Sequence, residues 1–165
     1  MPNWCSNVVT IHHEDAEIIT AIEVELQKDD AELFQLLRPR PDEEKDNWYY
    51  WNVENWGTKW DAQPRNIVWH DDDSVSFSID TAWSPPTKFY EALEELGYRV
   101  TAYYLEEGMA FVGKYQDGYD DFYEYGDMSA DEMEDQLPEW VNEQFGLIDR
   151  KRDDEEWEQE EDDEE

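Results

Sequence analysis

A chain of 165 residues holding 46 Asp and Glu against 12 Lys and Arg has a formal charge of −34, and its length suits one domain with an appendage rather than an enzyme of separate cofactor and substrate lobes. So strong a negative field excludes direct binding to a phosphate backbone, which needs clustered cations, and it disfavours anionic membranes. Apolar residues nonetheless make up 39% and aromatic residues 15%, too much buriable surface for a wholly disordered chain.

Cys5 is the one cysteine, so the chain cannot staple itself with an internal disulfide. No basic leader precedes an apolar stretch and no run of about 18 apolar residues occurs, so the chain reads as a soluble, cytoplasmic protein. From Trp4 to His12 the β-branched Val8, Val9, Thr10 and Ile11 predict a strand. Asp15 is placed to cap a helix whose apolar face is Ile18, Ile19, Ile22 and Leu26. After Leu33 to Leu37, the prolines of Arg38-Pro39-Arg40-Pro41 impose an extended path. An irregular insertion, about residues 38–65, then carries Trp48, Tyr49, Tyr50, Trp51, Trp56 and Trp60. Without periodicity, it must pack on the body or present an adhesive face.

Ile67 to Trp69 and Ser74 to Asp80 flank His70-Asp71-Asp72-Asp73 and predict a hairpin; Val75, Phe77 and Ile79 alternate with serines, which leaves one face wet. Ser84 before Pro85 marks a helix start, Phe89, Leu93 and Leu96 its apolar face, and Gly97 its stop. Tyr98 to Leu105 and Met109 to Tyr115 predict two more strands. The order is β-α-β-β-α-β with one extra strand, the α+β, ferredoxin-like antiparallel sheet, expected over residues 1–118. Residues 119–152 read as an acidic helical extension: Ser129 to Glu132 form a capping box, and Met133, Leu137, Trp140, Val141 and Phe145 make an apolar face that is kinked or restarted at Pro138 and ended by Gly146.

Charge is divided unevenly. Residues 1–118 hold 24 acids and 9 bases, residues 119–165 hold 22 acids and 3 bases. In Asp153 to Glu165 only Trp157 and Gln159 are not acidic, so residues 153–165 are expected to be a self-repelling tail without fixed structure when free.

Met1-Pro2-Asn3-Trp4-Cys5-Ser6-Asn7, Glu54-Asn55-Trp56-Gly57-Thr58-Lys59-Trp60-Asp61 and Asp80-Thr81-Ala82-Trp83-Ser84-Pro85-Pro86 resemble, in this order, the motifs of the YubB-like ferredoxin-like domain family of phage and plasmid proteins. The resemblance spans about residues 1–118. It implies a mobile-element origin and a ferredoxin-like fold, and it brings no catalytic residues, because the family has no assigned activity. The acidic segment from Tyr119 onward lies outside the pattern.

His12 and His13 end the first strand and His70 the second, strands that this fold separates by one other, roughly 10 Å; solvated imidazoles are expected rather than zinc ligands. The carboxylates Asp71 to Asp73, and Asp117, Asp120 and Asp121, lack the alternate spacing of a calcium loop. Cys5 on a strand reads as a small buried residue, not a nucleophile. With no GxSxG, HExxH, P-loop or GxGxxG motif, neither an enzyme nor a bound cofactor or metal is expected. Trp56 and Trp60 around Lys59 could stack bases, but covering the open sheet, with Lys59 paired to an acid, suits the field better.

If helical, the tail spaces its charges every ~1.8 Å, close to the ~1.7 Å of duplex DNA; extended, the interval is nearer ~3.9 Å. Asp131, Glu132, Asp135, Glu139 and Glu143 on the preceding helix are expected to lengthen a stripe that continues through Asp153, Asp154, Glu155, Glu156, Glu158, Glu160 and Glu161, with Trp157 as an apolar anchor. The expected function is that of a phage or plasmid accessory protein which binds and inhibits a basic, nucleic-acid-handling host protein by nucleic-acid mimicry, in an anti-restriction or anti-CRISPR setting. The alternative is a small-ligand or nucleic-acid-binding ferredoxin-like module that uses the Trp56 to Trp60 region. Acidity as a salt or solubility adaptation would spread acids evenly, which this chain does not do. The oligomeric state is not legible.

Overall fold

A computed structural model describes residues 3–70 and 73–164, with Trp69 and His70 as backbone alone. Met1 and Pro2 of the opening motif, the His70 imidazole, Asp71 and Asp72 lie outside the described residues. The fold is α+β. Strands β1 (Trp4–His12), β2 (Arg65–His70), β3 (Ser74–Ala82), β4 (Arg99–Glu106), β5 (Phe111–Gln116) and β6 (Tyr119–Glu124) form one six-stranded sheet in the order β2-β3-β1-β4-β5-β6. Every neighbouring pair is antiparallel. Among the described residues no helix is long and apolar enough to cross a membrane.

Alternation divides the sheet into two faces. On one, Val9 and Ile11 of β1, Val75, Phe77 and Ile79 of β3, and Val100 and Ala102 of β4 are buried. Helices α1 (Ala16–Leu26) and α4 (Thr87–Glu95) cover them with Ile19, Ile22, Leu26, Phe89, Tyr90 and Leu93. Burial of each such aliphatic or aromatic side chain stabilises by roughly 1.5–3 kcal/mol. Asp15 caps α1 as its position predicts, accepting from the Glu17 N–H at 3.0 Å. The start of α4 differs: it begins at Thr87, and the Ser84 hydroxyl donates instead to the Gly57 carbonyl at 3.0 Å.

The insertion is not irregular throughout. Ahead of it Leu33–Leu37 form a short helix α2; within it a 3-10 turn spans Asp42–Asn47, and α3 runs from Trp48 to Trp56. Periodicity failed to reveal α3 because its burial is inverted. Polar Asn52 is buried on its inner side with Trp56, while Tyr50 and Val53 face water at 72% and 42% exposure. Asn52 is satisfied there: its amide donates to the Lys59 carbonyl at 2.7 Å and its oxygen accepts from Arg40 at 2.8 Å.

The sheet also extends past Gly118, where sequence placed the end of the folded domain. Asp117 and Gly118 have φ of 51° and 78°, the signature of a two-residue type I′ turn, and the Asp-Gly pair turns β5 directly into β6. Beyond it, α5 (Ala130–Gln136), α6 (Trp140–Phe145) and α7 (Leu147–Glu164) follow. Ser129 accepts from the Glu132 N–H at 3.2 Å, Pro138 separates α5 from α6, and Gly146, at φ 59°, separates α6 from α7. Met133, Leu137, Val141, Leu147 and Ile148 pack against Leu105 of β4 and Val112 of β5, residues of opposite parity to the first core and therefore on the second face of the sheet. The segment expected to be an unstructured tail continues α7 unbroken to Glu164.

Candidate functional site

The three tryptophan-bearing segments meet at one end of the sheet. β1 and β3 are antiparallel neighbours with Trp4 opposite Ala82, so the beginning of one strand and the end of the other coincide, and the loop after α3 closes on both. Thr58, buried, donates to the Ala82 carbonyl at 3.0 Å. The Ser84 bond to Gly57 returns the link, and the Trp83 N–H donates to the Asn3 carbonyl at 2.9 Å. Beneath them Asn7, 1% exposed, donates to Thr81 Oγ1 at 3.0 Å and accepts from the Tyr90 hydroxyl at 3.3 Å, while Thr81 donates to the Ser84 carbonyl at 2.6 Å. Gly57 closes α3 at φ 82°, and a Cβ there would come within 3.2 Å of the Thr87 and Lys88 backbone nitrogens. Pro85 leads from this frame toward α4 and its carbonyl accepts the Thr87 N–H at 2.9 Å.

Most other motif residues are structural. Asp61 accepts from the Phe34, Gln35 and Ala62 N–H groups at 2.7, 2.8 and 2.7 Å, so it caps α2 across the fold; burial pushes its carboxyl up against the opposing pull of these donors. Asn55 donates to the Trp51 carbonyl at 2.9 Å and accepts from Arg38 at 3.2 Å. Trp56, for which a structural role was expected over base stacking, is 2% exposed, packs on Phe34 and donates its indole N–H to the Arg38 carbonyl at 2.9 Å; it is core and unavailable to a base.

The exposed rings of the three motif segments are Trp4, Trp60 and Trp83, at 48%, 40% and 48%. The Trp4 and Trp60 centroids are 6.0 Å apart. The Lys59 ammonium lies 4.0 Å from the Trp60 ring centroid and 3.9 Å from that of Trp83, and among the described residues it has no carboxylate partner, contrary to the ion pair expected for it. Trp83 holds φ at 68°, a left-handed conformation that costs a bulky L-residue roughly 1–2 kcal/mol. Two shallow depressions flank the group. One, about 330 Å³, is walled by Trp4, Asp61, Arg65 and Asp80; the other, about 210 Å³, lies among Trp48, Lys59, Trp60 and Arg40.

The second candidate surface is acidic. Glu132, Asp135, Glu139 and Glu143 are exposed on or beside α5 and α6, and Asp153, Asp154, Glu156, Trp157, Glu158, Glu160 and Glu161 on α7. They do not form the single stripe expected from sequence, because the chain reverses at Pro138 and Gly146 and lays α5 beside the first half of α7. Arg152 of α7 pairs with Asp131 at 3.1 Å and with Glu134 at 2.7 Å, and Arg150 with Glu107 at 2.6 Å. Glu155 accepts the Ala130 N–H at 3.1 Å, at the start of α5. Asp131 and Glu155 thus serve in holding α7 to the body. The three cations of α7 all sit in its inner half; from Asp153 to Glu164 there are ten acids and no base.

Cys5 is buried, and desolvation pushes its thiol far above the ordinary range. His12 lies 3.4 Å from Asp73, and His13 accepts the Asp15 N–H at 2.9 Å. Asp120 accepts from the Tyr104 hydroxyl at 2.5 Å and Asp121 from that of Tyr123 at 2.9 Å. Among the described residues no three His, Cys, Asp or Glu side chains are grouped as metal ligands. Convergence of Trp4, Trp60 and Trp83 went unread in the sequence; placing the first strand beside the third implies only that Trp4 and Trp83 lie at the same end of the sheet.

No family model and no curated protein matches the chain. A crystal structure of a protein api92 from Yersinia pseudotuberculosis, carrying the family model DUF1281, is similar over 47% of this chain and 30% of its own, with 22% identity and a TM-score of 0.34. That overlap is too loose to carry an argument on fold or function.

Proposed function

We propose that this is an acidic accessory protein of a phage or plasmid that binds a basic, nucleic-acid-handling host protein, a component of a restriction or CRISPR-type defence, and blocks it by offering carboxylates in place of phosphates. It is then a binding protein of the host cytoplasm rather than an enzyme, a member of the YubB-like family, with a ferredoxin-like fold. The order β4-β1-β3-β2, with α1 and α4 as the two crossovers, supports that fold. One observation carries the functional proposal: ten of the twelve residues from Asp153 to Glu164 are acids on one continuous helix, and nine of the ten are exposed, Glu155 being half-buried. At about 1.5 Å rise per residue, that sets a charge every ~1.8 Å, against ~1.7 Å along duplex DNA.

The test neutralises Glu158, Glu160, Glu161, Asp162, Asp163 and Glu164 as Gln or Asn, positions outside the contacts that hold α7 in place. Host proteins retained by the wild-type chain at low salt are challenged with duplex DNA. The wild type should displace DNA from them, and the neutralised variant should bind more weakly with a flatter dependence of log K on log salt. Equal affinity of both at every salt concentration would end the proposal.

A second reading is favoured by the exposure of Trp4, Trp60 and Trp83: a module for single-stranded nucleic acid or a small aromatic ligand. A gel shift on single-stranded RNA and DNA with the chain lacking residues 157–165 addresses it, and tight binding there would favour this reading.

A further inference from the structure

We infer that Trp4, Trp60 and Trp83 form a cage for a cationic side chain of a protein partner, and that Lys59 is the resident occupant which such a side chain replaces. This rests on the proposal that the partner is basic, and it names the point at which one of the partner's arginines is gripped.

The rings are built into place. Three segments remote in sequence are tied by the Thr58–Ala82, Ser84–Gly57 and Trp83–Asn3 hydrogen bonds, and the chain places a tryptophan at a positive φ where glycine would be free of strain. A ring held at that position would ordinarily be buried for its apolar area, yet Trp83 is 48% exposed. Its function is therefore directed outward.

Lys59 shows what the rings accept. Its ammonium stands about 4 Å from two indole faces, within the range where the ring quadrupole attracts a cation. In a chain with 46 carboxylates it takes none of those described as an ion-pair partner. The ammonium is thus a stand-in for an incoming guanidinium or ammonium. Arginine is the better guest: its planar, weakly hydrated guanidinium stacks on indole, whereas the lysine head is compact and strongly hydrated and can swing into water on a flexible stem. The −34 field concentrates cations near the surface. A depression of about 330 Å³ lies beside Trp4, walled by Asp61, Asp80 and Arg65, the last two paired at 2.7 Å. A nucleobase suits the site less well, because the space between Trp60 and Trp83 already holds a cation and the field repels phosphate.

The experiment titrates the full chain with N-acetyl-arginine amide and with tetramethylammonium, against sodium chloride at matched ionic strength, and follows the indole N–H resonances. Lys59→Ala should bind both cations at about tenfold lower concentration than the wild type, with saturable shifts at Trp60 and Trp83. Trp83→Gly, which keeps the backbone conformation, should abolish them. Trp157, on the acidic helix, is the internal control for diffuse attraction and should not follow. Lys59→Gln, checked by circular dichroism, replaces Lys59→Ala if the latter does not fold. The proposal is overturned if removing Lys59 leaves affinity unchanged, if Trp157 shifts in parallel with Trp60, or if an oligothymidylate binds Lys59→Ala more tightly than either cation does. Failure here leaves the acidic-helix proposal standing, since that is read from the salt slope of the α7 variant; a cage that binds cations beside an α7 variant of unchanged partner affinity would remove only the latter.

Discussion

Trp83 sits at φ 68°, and only glycine tolerates that region without strain. Both Trp83→Gly and Trp83→Ala lose the ring, but Trp83→Gly should be the more stable of the two by about 1 kcal/mol, the reverse of their usual order. Urea midpoints compare them directly, and Ala as the more stable variant would mean that the positive φ is not held in solution. Gly113 makes the opposite demand. A Cβ there would land 2.1 Å from the Tyr104 ring, which is pinned by its hydroxyl bond to Asp120. Gly113→Ala should therefore cost about 1–3 kcal/mol, and less in a Tyr104→Leu background, where the obstructing ring is gone. Neither position could be singled out from sequence, because a positive φ and a ring lying over a glycine are consequences of strand pairing.

Among the elements, α7 has two halves of different character. Its inner half is docked through Leu147 and Ile148, the Arg150 and Arg152 ion pairs and the Glu155 cap; its outer half is exposed acid. A chain ending at Arg152 loses Glu155 and leaves the Ala130 N–H without that acceptor, so it should be less stable than one ending at Glu156 by about 1 kcal/mol. Thermal unfolding of the two truncations checks this; equal stability would mean the cap does not hold in solution. The outer half has like charges at i,i+4 and acids at the negative end of the helix dipole. Its amides should exchange faster than those of the inner half, and slow as salt rises from 0.01 to about 0.5 M. Sequence pattern was legible only as far as Gly146, the residue before α7 begins. Its apolar anchor is two residues, and what orders the helix further is a set of contacts with α5 and the β4–β5 turn that local periodicity does not encode. By contrast α1, with its cap and its three buried apolar positions, and β3, with strict alternation, could be read directly, since each is amphipathic against a single core.

At the scale of the whole molecule, self-repulsion among 46 acids opposes folding, so the melting temperature should rise between 0.01 and about 0.15 M salt, as the Debye length falls from about 30 to 8 Å. Alkaline pH acts through the phenols. Burial raises Tyr90, and burial with the neighbouring carboxylates Asp120 and Glu94 raises Tyr104 and Tyr115; burial, then Glu107, pushes Tyr125 up to about 12. The folded state therefore holds these protons more tightly than the unfolded state does. Their contribution to stability is complete below pH about 10, the ordinary phenol value, and is lost as pH rises through 12 and beyond. Absorbance at 295 nm should show the exposed tyrosines ionising first and these four only with unfolding. Simultaneous titration of all ten tyrosines in a chain still folded would contradict the burial.

Composition and local pattern by themselves determined the charge asymmetry, the α+β class, the succession of β1, α1, β2, β3, α4, β4 and β5, and the start of α5, because those depend on side-chain identity, on periods of 2 and 3.6, and on caps within one turn. Only the tertiary structure decided that Trp56 is core while Trp60 and Trp83 stand around Lys59 with Trp4 beside Trp60, that α3 buries an asparagine and exposes its tyrosines, and that the acids of α5 lie beside α7 rather than in line with it. Each of those facts joins residues distant along the chain, and which neighbour a side chain meets is set by strand order and helix docking, not by spacing in sequence.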